Sequence, residues 1–149
     1  MTRINPYAHF NLVQPLNEFA TAAQNGLEPA IVELIKIRAS QINGCAVCLH
    51  MHTRDAIAAG EAPERIFMLN AWRESPLFTP AERAVLAWTE ELTRVAEHRT
   101  SSAAYEALEA HFTPEQQVQI TLLIGAINAY NRFNVAFEVK HPATSRKAA

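Results

Sequence analysis

Proline in this chain stands mainly where a helix would begin. Pro29, Pro63, Pro80 and Pro114 each open a stretch whose apolar residues recur three and four positions apart. A proline at the first helical position loses no hydrogen bond, because that N–H has no intrahelical partner. Only four glycines interrupt the 149 residues. Between Arg38 and Gly60 there is no strand-like alternation, and β-branched residues elsewhere fall at helical spacing. The chain is therefore expected to be all-α, a bundle of helices.

The expected elements follow from local signals. Ile31, Leu34, Ile35 and Ile42 form an apolar stripe behind Pro29, so a helix is placed from Leu27 to Ile42. Asn43-Gly44 breaks it, and a second helix runs from about Cys45 to Ala59, where Gly60 stops it. The two make a hairpin. Pro63 to Trp72 reads as a short helix burying Ile66, Phe67 and Leu69. Thr79-Pro80-Ala81-Glu82 and Thr113-Pro114-Glu115-Gln116 are capping boxes. The first opens a helix carrying Val85, Leu86, Trp88, Leu92 and Val95, with Trp72, Trp88 and Phe137 at core-like spacings. The second opens the longest apolar stretch, Val118 to Phe137, in which Gly125 is a candidate for a bend. A further helix is expected from Ser102 to Ala110. The whole reads as a single domain over 1–149, with 1–14 and 141–149 peripheral and the tail from His141 short, basic and mobile.

Charge and hydropathy exclude several function classes. Thirteen Lys and Arg against fifteen Asp and Glu give a net charge of −2, with no basic excess for a phosphate backbone, so nucleic acid is not an expected partner. No window approaches the roughly 18 apolar residues of a membrane span, and the N-terminus lacks the apolar core of a signal peptide. No membrane partner is expected, and we read the chain as soluble and cytoplasmic.

The two cysteines supply the chemistry. Cys45 and Cys48 are three apart, a spacing that about one random placement in 75 would give. On a helix, Cys45, Cys48 and His52 share one face, so a dithiol meets an imidazole. Cys45 lies at the expected helix N-terminus, where free N–H groups favour an anion, and His52 can take a proton from Cys48 one turn away. A thiol of pKa about 8.5 is ~3% thiolate at pH 7, whereas one near 6 is ~90% thiolate. Glu33, on the preceding helix, is the carboxylate to pair with His52, and Ser40, two turns on, shares its face. His50, about 200° around the helix from Cys48, faces away.

Three blander uses of the pair stay open at this point. The cysteines could be two small buried hydrophobes. They could be zinc ligands with His52, although no second cysteine pair completes a tetrahedron. A thioredoxin-type motif would need a βαβ pattern, which is missing.

Glu33 to Ser40 and Asn43-Gly-Cys-Ala-Val-Cys-Leu-His-Met-His52, with Ala71-Trp-Arg-Glu-Ser75, the helix from Thr79 and Asn128-Ala-Tyr-Asn-Arg132, resemble the alkylhydroperoxidase AhpD-like branch of the carboxymuconolactone decarboxylase family. The resemblance spans most of residues 15–138 and implies an AhpD-like helical bundle. It implies a thiol-dependent peroxidase in which Cys48 attacks organic or hydrogen peroxide, Cys45 closes the disulfide, and His52 and Glu33 relay the proton. No cofactor or metal is implied. Implied partners are the peroxide, an external dithiol reductant such as a lipoylated protein, and further copies of the chain in a homo-oligomer, a hexamer ahead of a trimer. Val47 stands where the best-known member has histidine. Two other functions remain alternatives: a slow or non-catalytic dithiol sensor or oligomeric scaffold, and the decarboxylase or lactone-handling activity of the wider family, whose members typically lack the cysteine pair.

Overall fold

A computed structural model describes residues 3–143 of the chain. Seven α-helices run in order among these residues, and no strand occurs among them: α1 Phe10–Ala22, α2 Pro29–Asn43, α3 Ala46–Ala58, α4 Pro63–Met68, α5 Pro80–Thr93, α6 Ser102–Glu109 and α7 Pro114–Ala136. Proline occupies the first turn of α2, α4, α5 and α7, as the sequence predicts. Both capping boxes form, with the Thr79 and Thr113 hydroxyls accepting from the N–H groups of Glu82 and Gln116 at 3.3 Å. Gly44 ends α2 with φ +66°, a left-handed conformation that a side chain at this position would strain.

α2 is the axis of the bundle. From Ile31 to Asn43 not one residue is exposed. Ile31, Ile35 and Ala39 enter a core shared with α5, α6 and α7 around Val85, Leu108, Ile120 and Ile124. Leu34 and Ile37 enter a second core with Ala56, Leu69, Trp72 and Leu86. Each such aliphatic side chain contributes about 1.5–3 kcal/mol of burial free energy. α3 lies antiparallel beside α2 across the Gly44 turn, which is the expected hairpin.

Several expectations need correction. Phe67 is 79% exposed, not buried, because α4 is one short turn-and-a-half and presents Ile66 and Leu69 inward. A 3-10 turn over Leu69–Ala71 replaces the last part of the helix expected to reach Trp72. α5 ends at Thr93, which leaves Val95 outside it and exposed. α7 continues through Gly125 without a break in its helical assignment. α1 has no counterpart in the sequence reading, which puts residues 1–14 at the periphery; in the structure the Pro6–His9 turn and α1 lie along α7. Residues 144–149 of the tail lie outside the described residues.

A buried ion network ties α2 to α5. Glu90 Oε1 accepts from Arg38 Nε at 2.8 Å and from the Trp72 indole at 2.7 Å, while Oε2 accepts from Arg73 at 2.8 Å. Burial pushes the Glu90 carboxyl up, but these donors and the Arg38 charge outweigh it and hold its pKa below the ordinary value. The stability this supplies is present above the unfolded-state pKa of about 4.3 and is lost as pH falls through the lower folded-state value. Glu90→Ala strands Arg38 in the interior, and we expect a loss of about 3 kcal/mol by urea denaturation at pH 7. A loss under about 0.5 kcal/mol would show the network to be dispensable.

Candidate active site

Cys45 is the N-cap of α3 and Cys48 sits in its first turn. The hairpin puts them there: Cys45 N–H donates to the Ser40 carbonyl at 3.1 Å, closing the turn. No side chain caps α3, so its first-turn N–H groups are not taken up by a Ser or Asp oxygen. The two sulfurs are joined as a disulfide, with Cα atoms 5.4 Å apart. Both cysteines are 1% exposed.

His52 follows Cys48 by one turn, and its Nδ1 lies 3.1 Å from Glu33 Oε2. The other Glu33 oxygen accepts from Lys36 Nζ at 2.9 Å, and Lys36 also donates to Gln24 at 2.8 Å. Burial pushes the Glu33 carboxyl up, but the hydrogen bonds from His52 and Lys36 and the Lys36 charge win and lower its pKa. An ionised carboxylate only accepts, so Nδ1 of His52 must carry the hydrogen, leaving Nε2 of the neutral ring as the free base. Glu33, Cys48 and His52 are therefore brought together as expected.

A cavity of about 290 Å³ opens onto this group, lined among others by Tyr7, Phe10, Cys48, Met51, His52 and Asn134. Cys45 is not in its lining, whereas Cys48 is. Neither Trp72 nor Trp88 lines it; both belong to the cores, as their spacing predicts. His50 turns to the other side of α3 and stacks on His141 with ring centroids 4.5 Å apart. Ser40 does not join Glu33; its hydroxyl accepts from Asn131 of α7 at 2.9 Å. Among the described residues no group of three or more His, Cys, Asp or Glu could hold a metal ion.

Sequence reasoning missed the contribution of α7 and the N-terminal turn. Asn128, Asn131 and Asn134 are buried at three-residue spacing. Asn43 donates to Asn128 at 3.0 Å and to Asn131 at 2.9 Å, and Asn134 donates to Cys48 Sγ at 3.4 Å. Three amides on one face of an otherwise apolar helix are a readable signal, since buried amides need partners. Tyr7 carried no such signal.

With the site in view, the comparisons with known proteins are informative. The profile of the carboxymuconolactone decarboxylase family matches residues 9–91, which include Glu33, both cysteines and His52. The chain belongs to this family. Its fold is shared with a protein of unknown function from Agrobacterium tumefaciens, provisionally described as the antioxidant defence protein AhpD: 41% identity, TM-score 0.89, covering 97% of this chain and all of that one. An uncharacterized peroxidase-related protein from Silicibacter sp. TM1040 gives 28% identity and TM-score 0.71 over 86% of this chain and 70% of its own. The uncharacterized protein YdfG of Bacillus subtilis is 41% identical over 76% of this chain and 77% of its own. Within the family, the AhpD-like helical fold is thus the one this chain adopts.

The Glu33 ion pair makes its own prediction. Because the Glu33 pKa is depressed on folding, its stabilisation holds above the unfolded-state pKa of about 4.3 and disappears as pH drops through the lower folded-state value. Glu33→Gln should cost about 2 kcal/mol at pH 7 and less at acid pH, below the unfolded-state pKa of about 4.3, as the wild-type carboxyl loses its ionised advantage. Equal losses at both pH values would deny the pairing.

Proposed function

We propose that the chain is a thiol-dependent peroxidase of the AhpD-like type, working through the Cys45–Cys48 pair. The observation that carries the reading is the asymmetry of the two sulfurs: Cys48 lines the cavity together with His52, and Cys45 lies behind it at the N-cap of α3. In the reduced chain, His52 Nε2 takes the Cys48 proton, and the thiolate attacks the terminal oxygen of a hydroperoxide. The O–O bond breaks, Cys48 becomes a sulfenic acid, and the leaving alkoxide takes the proton from the imidazolium as an alcohol. The Cys45 thiol then displaces water from the sulfenic acid to form the disulfide. An external dithiol returns the pair to the reduced state, becoming a disulfide itself.

Access limits the reductant. With both sulfurs buried, a folded protein's surface cysteine cannot reach them, whereas a slender dithiol arm, of which a lipoyl group is one kind, fits a cavity of about 290 Å³. Attack through the cavity would fall on Cys48 and leave Cys45 as the thiolate at the helix N-terminus, a favourable leaving group.

Self-association remains part of the proposal, as a hexamer ahead of a trimer. Phe67 and Val118 are exposed large apolar side chains, as is Leu12, and they support it, whereas Phe78 and Trp88 are buried within one chain.

Cys48→Ser should abolish peroxide consumption, and Cys45→Ser should retain one turnover that stops at a sulfenic acid trapped by dimedone and read by intact mass. Equal reactivity of the two variants towards peroxide would overturn the roles. Sedimentation at micromolar concentration should give a particle well above 16.6 kDa; a stable species of that mass would remove the oligomer.

A further inference from the structure

The side chain that hydrogen-bonds the Cys48 sulfur belongs neither to the hairpin nor to the segment that the family profile matches. Asn134 Nδ2, on α7, lies 3.4 Å from Cys48 Sγ, and Tyr7 Oη lies 2.8 Å from Asn134 Oδ1. A phenol donating to the amide oxygen decides which end of the amide meets the sulfur: Tyr7 occupies the oxygen, so the NH₂ group is turned to Cys48. Tyr7 is held in turn. Its N–H donates to Asn5 Oδ1 at 3.1 Å, and its ring meets Phe133 edge-on with centroids 5.8 Å apart.

We propose that Asn134 stabilises the Cys48 thiolate by direct hydrogen bonding, and that Tyr7 is the positioning residue that aims the Asn134 amide. The use of that thiolate against peroxide rests on the reading above; the stabilisation itself does not. In the disulfide, Sγ is a weak acceptor, whereas reduction and deprotonation give it a full charge, and the same contact becomes a charge-assisted hydrogen bond. A hydrogen bond to the charged form lowers a thiol's pKa.

The other groups around Cys48 leave this role to Asn134. Among the described residues, the titratable and charged ones facing the cavity are His52 on α3, Lys36 on α2, Tyr130 on α7, and Tyr7, with Glu33 behind His52. α1 presents Asn17 and Thr21, and Gln24 follows just after it, none of them charged. Lys36 is matched by Glu33 at 2.9 Å, and His52 becomes a cation only once it holds a proton. Burial raises the Tyr7 pKa above the ordinary tyrosine value, with the Asn134 bond opposing only in part, so the phenol stays a donor throughout the range in which a thiol titrates.

The test uses the full chain carrying Cys45→Ser, in which Cys48 is the sole thiol, and follows iodoacetamide alkylation rate against pH. Asn134→Leu should move the midpoint up by about one to two pH units. Tyr7→Phe, which keeps the ring on Phe133, should move it in the same direction by less. Asn134→Asp, which faces the sulfur with a carboxylate, should move it further than Asn134→Leu. If Asn134→Leu does not fold by thermal melting, the Tyr7→Phe and Asn134→Asp midpoints decide. Midpoints indistinguishable from the parent in Tyr7→Phe and in the folded Asn134 variants would overturn the proposal. Peroxide consumption by the unaltered chain is measured separately: shifted midpoints without consumption would remove the peroxidase reading and leave this assignment standing, and consumption with unshifted midpoints would do the reverse.

Discussion

A helix buried on every side cannot hide a polar side chain without giving it a partner, and α2 is such a helix. Between Ile31 and Asn43 it carries Glu33, Lys36, Arg38, Ser40, Gln41 and Asn43, none of them exposed. Leaving any one unpaired would cost about 1–3 kcal/mol, more for a charge. Every buried side-chain nitrogen and oxygen among the described residues has a partner. Four of these residues reach across to three neighbouring helices and set their positions: Arg38 to Glu90 of α5, Ser40 and Asn43 to Asn131 of α7, Glu33 to His52 of α3. Apolar contact alone would let these helices slide; the polar pairs set their register.

The site is a consequence of the same constraint. His52 has its Nδ1 hydrogen committed because Glu33, on a buried helix, must be satisfied from α3 and from Lys36. The bonds that orient His52 are the same bonds that satisfy a buried carboxylate. Lys36 and Glu33 pair with each other beside the sulfur. A proton passed from Cys48 to His52 would leave an imidazolium next to the thiolate, and the Asn134 amide adds to that charge an oriented hydrogen bond that needs no proton transfer.

How much of this was legible in the sequence follows from how local each signal is. The starts of α2, α4, α5 and α7 were readable because proline and the Thr boxes act within one turn. The alignment of Cys45, Cys48 and His52 was readable because all three belong to one helical face, and Glu33 could be added because the Gly44 turn makes its helix a near neighbour. α1 was not readable: Pro15 lies inside it, and Val13 is its sole fully buried residue, so neither periodicity nor a start signal marks it. Phe67 was misplaced because an apolar residue on a helix as short as α4 has no second turn to define the stripe. Asn134 and Tyr7 meet Cys48 across 86 residues and each other across 127, and spacing along a chain carries no trace of such contacts.

The family profile ends at residue 91, and the geometry explains how a protein can carry the family's hairpin and still differ from its relatives in reactivity. The hairpin with α4 and α5 supplies the thiols, the imidazole and the carboxylate. The cavity wall is completed by α1, within the matched residues, and by the Pro6–His9 turn and α7, which contribute Tyr7 and Asn134 from outside them. The amide hydrogen bond to the Cys48 sulfur comes from α7. Residues 9–91 can thus stay the same while a change at Tyr7 or Asn134 alters both the cavity and the electrostatic surroundings of Cys48. The cavity's shape and the hydrogen bonding at Cys48 are thus set by the whole bundle, even though Glu33, Cys45, Cys48 and His52 lie within twenty residues of one another.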